Sequence, residues 1–375
     1  MTMRMFCSTS VLTLCVLTAA LAGRLSADDW PLYRGDARSS GVASGTLPAE
    51  LDVAWTFKVE KGAFEATPII VDGVVYIGDL DGELYALKLA DGKQLWKAET
   101  DSGFIAAPAY RDGKLFVGDF DGLFRCFDAK TGKQLWSFET MAEIDSSANF
   151  YKGNVLVGSQ DATLYYLNSA DGKLIWKHSI ADQIRCTPTV VENRGFVAGC
   201  DGKLHIIDLD KGEPTGEVDI HAPTGVTPAV VGDRTFFGTE GAAFFGVNWR
   251  KAATDWTHEE QGSSSSYRSS AAANDQHVIV GGRNRRVMAF DPATGDVQWS
   301  FATKQRIDSS PVIVGDRVFV GATDGRLYAL DLKDGRERWQ YEVRGGFVGS
   351  PAVADGRLVI ASDDGVVYCF GAKGK

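Results

Sequence analysis

Short apolar runs, rich in β-branched and aromatic residues, alternate along this chain with polar turns that carry glycine and aspartate. One stretch reads Ala106-Ala107-Pro108-Ala109-Tyr110, Lys114-Leu115-Phe116-Val117-Gly118, Leu123-Phe124-Arg125-Cys126-Phe127 and Gln134-Leu135-Trp136-Ser137-Phe138. Each run suits a strand and is too short for a helix. The intervening turns, Arg111-Asp112-Gly113, Asp119-Phe120-Asp121-Gly122 and Lys130-Thr131-Gly132-Lys133, place glycine where a tight hairpin needs positive φ. The pattern predicts a four-stranded antiparallel meander.

The meander recurs. Trp55, Trp96, Trp136, Trp176, Trp256, Trp299 and Trp339 are separated by 41, 40, 40, 80, 43 and 40 residues. The 80-residue gap holds one degenerate unit, with Gly216 standing where a tryptophan is expected four residues after the turn glycine Gly212. Eight units follow. A lone sheet of this kind exposes two faces and two edges, so the units must stack around an axis. The expected fold is all-β, an eight-bladed propeller of four-stranded blades, with the seven tryptophans packed between blades.

The chain ends predict how the ring closes. The last unit supplies three strands and stops, whereas Val53 to Lys58 precedes the first complete unit and carries Trp55. This N-terminal strand is therefore expected to complete the eighth blade and remove the open edge.

Residues 1–27 stand outside the repeat. Arg4, an apolar stretch from Val11 to Leu21 and Leu25-Ser26-Ala27 give the plan of a cleaved secretory signal. Leu14 before Cys15 does not suit a lipoprotein cut. The expected division is a signal over 1–27, a lead-in over 28–50 and the propeller over 51–375, with an exported protein as the product. The chain has 39 basic and 49 acidic residues, and loss of Arg4 and Arg24 leaves 37 against 49, a net charge of −12. That sign disfavours nucleic acid and anionic lipid as partners.

Four cysteines remain: Cys126, Cys186, Cys200 and Cys369. Cys186 and Cys200 flank one hairpin turn, so a disulfide and two buried thiols are both open. The five histidines occur singly, with no metal or nucleophile motif around them. Asp79-Leu80-Asp81-Gly82 and Asp119-Phe120-Asp121-Gly122 resemble the start of a cation loop, but an aspartate before a small residue recurs at the same turn position as Asp161, Asp201, Asp324 and Asp364, which reads as turn chemistry. No catalytic, cofactor-binding or metal-binding residue is assigned.

Candidate partner residues come from departures within the repeat. Glu65, Asp145, Arg185, Arg268 and Asp308 fall three residues before the innermost strand's proline or its equivalent, where a strand has no need of charge. They predict a polar mouth on the central channel, or else a solvated rim of internal ion pairs. Blades five and six are least regular. Phe244 to Arg250 breaks the pattern, the loop from Gly262 to Arg268 is long, and Arg283, Arg285 and Arg286 make a basic turn where others are acidic.

The strings Tyr85-Ala86-Leu87-Lys88-Leu89-Ala90-Asp91-Gly92-Lys93-Gln94-Leu95-Trp96 and Ala289-Phe290-Asp291-Pro292-Ala293-Thr294-Gly295-Asp296-Val297-Gln298-Trp299 resemble the repeat of the PQQ-like (quinoprotein-type) eight-bladed β-propellers. Trp30-Pro31-Leu32-Tyr33-Arg34-Gly35 is similar to the lead-in of secreted members. The resemblance implies one of two branches, quinoprotein dehydrogenases or cofactor-free propellers similar to BamB. The dehydrogenase branch implies adjacent cysteines, a calcium site and long insertions, none of which this sequence carries. The expectation is a non-catalytic protein-binding scaffold of the cell envelope, in the periplasm or at the outer membrane, monomeric and without cofactor. The alternatives are a small quinoprotein and a polysaccharide-binding propeller, the latter poorly supported by the two tryptophans off the register, Trp30 and Trp249.

Overall fold

The computed structural model describes residues 28–259 and 266–372, and within them eight sheets follow one another around an axis. Residues 1–27, expected to be a signal, and residues Gly262 to Ser265 of the long loop lie outside the described residues. Blades one to seven each run outward from a short innermost strand: Ile69–Val71, Ala109–Arg111, Asn149–Tyr151, Thr189–Val191, Ala229–Val231, Ala272–Ala273 and Val312–Val314. The innermost strand of blade eight is Ala352–Ala354, and its outermost strand is Leu51–Lys58 from the other end of the chain. That strand pairs antiparallel with Val366–Ala372, Trp55 facing Cys369, so the ring closes as the sequence predicts.

Second and third strands are buried on both faces, whereas outer strands alternate, as in Gln134–Glu139. The apolar cores therefore lie between blades. Each repeat tryptophan bridges to the following blade. The indole of Trp55 donates to the Leu89 carbonyl at 2.7 Å, and Trp96 donates to Ala129 at 3.0 Å. Trp136, Trp176, Trp256 and Trp299 do likewise to Ser169, Leu209, Pro292 and Leu332. The recurring turn glycine exists for this contact: a Cβ on Gly92, at φ +72°, would lie 2.6 Å from the Trp55 ring. Trp339 reaches the last blade through an edge-on contact with Phe370.

The lead-in is built into the ring. An innermost strand presents an unpaired edge to the axis, and residues 30–43 bond those edges on six of the eight blades and reach a seventh, blade three, through the Asn149 side chain. Trp30 forms a bridge with Ile70, and Pro31 accepts from the Tyr110 amide. Ala37 accepts from Val190 and from the Asn149 side chain, Arg38 from Val230, Ser40 from Ala273 and Gly41 from Ile313. Val42–Ala43 then pairs parallel with the innermost strand of blade seven.

Arg34 pins this plug. Its guanidinium is buried and donates to the carbonyls of Pro311, Ala271 and Ser310 on blades six and seven. Burial lowers its pKa to about 10, which leaves it charged at neutral pH. Gly35, at φ +87°, lies under the Trp30 ring, 2.8 Å from where its Cβ would be.

Candidate functional site

The axis has three levels. Residues of the plug close one end. Two to three residues up each innermost segment lies a belt of hydroxyls, and the charged positions singled out from the sequence lie beyond it.

The belt is a chain of bonds. The amide of Thr187 donates to Thr227 Oγ1, Thr227 to Ser270 Oγ, Ser270 to Ser310, Ser310 to Ser350 and Ser350 to Thr67 Oγ1, each at 2.9 Å. Ala107 likewise donates to Ser147. Crowding near the axis accounts for small side chains; the hydroxyls are explained by these amides, which would otherwise be buried without partners. Ser350 to Thr67 carries the chain across the closure.

Above the belt is a funnel of about 380 Å³, floored by Tyr33, whose hydroxyl bonds Ser310 at 3.0 Å. Glu65, Asp145, Arg185, Arg268 and Asp308 all line it, as does Arg283. Arg285 and Arg286 do not stand among its lining residues: Arg285 is an exposed turn residue at φ +65°, and Arg286 begins the strand Arg286–Phe290. The expected basic turn is thus split. Its inward member Arg283 is spoken for by Asp308, through contacts of 2.7 and 3.0 Å. Glu240 and Arg306, which the repeat positions do not reveal, complete the charged lining; they come from the turn between the second and third strands of blade five and from the segment entering blade seven.

The charges are unevenly partnered. Asp308 also bonds Arg306 at 3.1 Å, and Arg268 lies 3.4 Å from Glu240. Arg185 is held by Gln183 at 2.5 and 3.0 Å rather than by a carboxylate. Gly225 of blade five makes room for it, since a Cβ there would lie 3.2 Å from the Arg185 Cβ. Asp145 accepts from Gln160 at 2.9 Å through one oxygen, while its Oδ1 is buried with no hydrogen-bond partner. Burial and then Glu143 push its carboxyl above the usual range. Glu65 is likewise raised by burial, then by Asp363 and Asp308.

The turn aspartates face inward to their own turns. Asp119 Oδ1 accepts from the amides of Asp121 and Leu123, and Asp79 does the same for Asp81 and Glu83. Among the described residues no group of three His, Cys, Asp or Glu side chains is placed to hold a metal ion. Of the two readings left open for Cys186 and Cys200, the disulfide is not formed. Thr189 opposes Phe196 in that hairpin, so the same register sets Cys186 across from Gly199, with Cys200 one residue further and on the other face of the pleat.

A second surface lies on the rim. Leu95, Leu135 and Ile175 occupy one repeat position on the outermost strands of blades one to three, 46–51% exposed, and Leu174 adjoins them. The same position holds Thr215, Asp255, Gln298 and Arg338 on blades four to seven. Each of these strands ends its sheet, with one edge unpaired by any neighbouring strand. The tryptophan next to each position drew attention away from it in the sequence.

A family model described as PQQ_2, outer membrane protein assembly factor BamB, matches residues 49–189, 183–306 and 283–374. A search of curated proteins gave no match. Among solved structures, BamB from Moraxella catarrhalis is similar at 18% identity and TM-score 0.73, covering 87% of this chain and 99% of its own. Quinohemoprotein alcohol dehydrogenase from Comamonas testosteroni gives 16% identity and TM-score 0.78, covering 95% of this chain and 82% of that one. A computationally designed protein, Ika8, gives 18% identity and TM-score 0.76 over 85% of this chain and 99% of its own. At these identities the structural likenesses speak for the fold alone.

The resemblance of the repeat to quinoprotein-type propellers raises a quinone with calcium as a cofactor. Arginines in the funnel suit carboxylates, but the remaining donor set does not fit: the lining contains no cysteine, Cys126, Cys186 and Cys369 are buried, and no oxygen cage is formed among the described residues.

Proposed function

Because the chain belongs to the PQQ_2 family, described as outer membrane protein assembly factor BamB, we propose that it is an exported, monomeric binding scaffold of the cell envelope that acts in outer-membrane protein assembly by holding a protein partner. The apolar strip on blades one to three carries this reading. Leu95, Leu135 and Ile175 project beside unpaired outer edges, and a partner segment in extended conformation would satisfy those edges while covering the apolar side chains. The cavity between plug and mouth adds a second contact surface. The acidic net charge supports a protein partner over nucleic acid.

The test replaces Leu135 with Arg and Ile175 with Glu together. Both side chains are exposed, so the melting temperature should stay within a few degrees of the parent. In cells lacking the native protein, the variant should fail to restore outer-membrane β-barrel proteins and should lose its cross-linked envelope partner. Full restoration by the variant would overturn the strip as the docking surface. Quinone-dependent dye reduction by the purified parent in the presence of calcium would overturn the scaffold reading itself.

A further inference from the structure

Going around the ring, the funnel divides into two halves of opposite charge. Blades four to seven contribute Arg185, Arg268, Arg283 and Arg306 against Glu240 and Asp308. Blades eight, one, two and three contribute Val348, Glu65, Ile105 and Asp145, with no cation among them. Four arginines against four carboxylates make the whole lining neutral, yet one half is net positive by two and the other net negative by two.

The imbalance is only partly relieved internally. Arg185 on the next blade favours the charged form of Asp145, but neither Glu65 nor Asp145 has an arginine or lysine within ion-pair distance among the described residues, and the side-chain hydrogen bonds of Arg185 go to the neutral Gln183. A carboxylate held apart from cations in a partly desolvated cavity costs folding energy, and Asp145, unlike the exposed Glu65, carries a buried oxygen without a donor. The ring could have removed the cost at no loss to the repeat, as blade two does with Ile105 and blade eight with Val348. Tyr33 of the plug lines the funnel, whose volume is in the size range of small-ligand sites, roughly 300–1,000 Å³.

We propose that the funnel is a binding site for a dipolar peptide segment, a basic side chain lying toward Glu65 and Asp145 and a carboxylate toward Arg185. Tyr33 forms the floor against which such a segment stops. Opposite charges on one ligand match opposite halves of one cavity, and a ligand with only one charge leaves one half uncompensated. This site is separate from the apolar strip and does not depend on it.

The probe is the blocked tripeptide Lys-Gly-Asp, with acetyl and amide ends, titrated calorimetrically into the mature protein. Lys-Gly-Asn and Gln-Gly-Asp in the same blocked form serve as single-charge controls. The dipolar peptide should bind at least tenfold more tightly than either control, and more weakly as salt rises. Asp145→Asn with Glu65→Gln should bring Lys-Gly-Asp down to the level of Gln-Gly-Asp, and Arg185→Gln should bring it to that of Lys-Gly-Asn. Absence of binding in the folded parent, equal binding of all three peptides, or insensitivity to these substitutions would each overturn the proposal. The Leu135→Arg, Ile175→Glu variant should bind the tripeptide as the parent does, which keeps failure here distinct from failure of the strip.

Discussion

Trp249 packs edge-on against Phe196, ring centroids 5.5 Å apart at 72°, across the interface where Gly216 replaces the repeat tryptophan. It occupies the position whose carbonyl receives the indole in other blades, the place of Leu89, Leu209 and Leu332. The bulk that one blade lost has been returned from its neighbour. Ala252 stands where other turns have glycine, and a Cβ on Gly216 would lie 2.9 Å from its methyl. Trp249→Ala should therefore cost about 3–5 kcal/mol. Gly216→Trp alone should also destabilise, by about 1–3 kcal/mol of overpacking. Combining Gly216→Trp, Trp249→Leu and Ala252→Gly should recover most of the parent stability in urea denaturation. A triple variant no better than the singles would refute the exchange.

The hydroxyl belt has one step without a hydroxyl, at Ala107. Ala107→Ser should supply an acceptor to the preceding blade and raise stability by about 0.5–1.5 kcal/mol. Ser310→Ala should lower it by about 1–3 kcal/mol, because Ser310 Oγ receives the Ser270 amide and meets the Tyr33 hydroxyl. Denaturation midpoints at constant slope would check both.

Plug and closure separate by deletion. Removing residues 28–43 should leave a closed ring with an open channel and exposed innermost edges, so the monomer persists with a lowered melting temperature. Removing residues 51–58 strips the last blade of its outer strand and its Trp55 contact, and should give aggregation and rapid proteolysis. If the second deletion melts like the parent, the closure account fails.

Alkaline pH should weaken the fold. Burial pushes the thiols of Cys126, Cys186 and Cys369 up to about 12. A group whose folded pKa is raised contributes stability that is complete below its unfolded pKa, about 8.5, and is lost as pH climbs through about 12. Melting temperature should fall over that window. Cys200 is raised too, yet only half-buried, so at pH 8 it should alkylate first of the four.

Neutralising the acidic half of the funnel should have the opposite sign. Glu65 and Asp145 are both raised, chiefly by burial, so their ionised forms oppose folding at neutral pH. Asp145→Asn should raise the melting temperature at pH 7 and leave it unchanged near pH 3, where the parent group is protonated. A lowered melting temperature at pH 7 would show that Gln160 and Arg185 outweigh the burial cost.

The repeat made the ring legible because a tryptophan and a glycine four residues apart are a packed pair, so their register is the register of the blades. The closing strand was legible for the same reason, through Trp55. The mouth residues were found because charge at a strand entrance has no role in pairing. What escaped is what depends on distance around the ring. Nothing in Trp30 to Gly41 alone says that seven innermost strands will meet it, and Arg34 looks like any surface arginine until Pro311 and Ala271 approach. Glu240 and Arg306 reach the funnel from other turns. Arg283, Arg285 and Arg286 read as one patch in sequence, yet a turn at positive φ sends them to different sides.

The pairing of Leu51–Lys58 with Val366–Ala372 sets an order of events. A chain delivered N-terminus first presents its closing strand before any partner for it exists, and must hold that segment unpaired until the last strands arrive. Such a long-range contact is slow to form and leaves an adhesive edge exposed meanwhile. A strand made before any of the blades is thus assembled last, and keeping it from wrong partners during that wait becomes a requirement on the cell rather than on the finished ring.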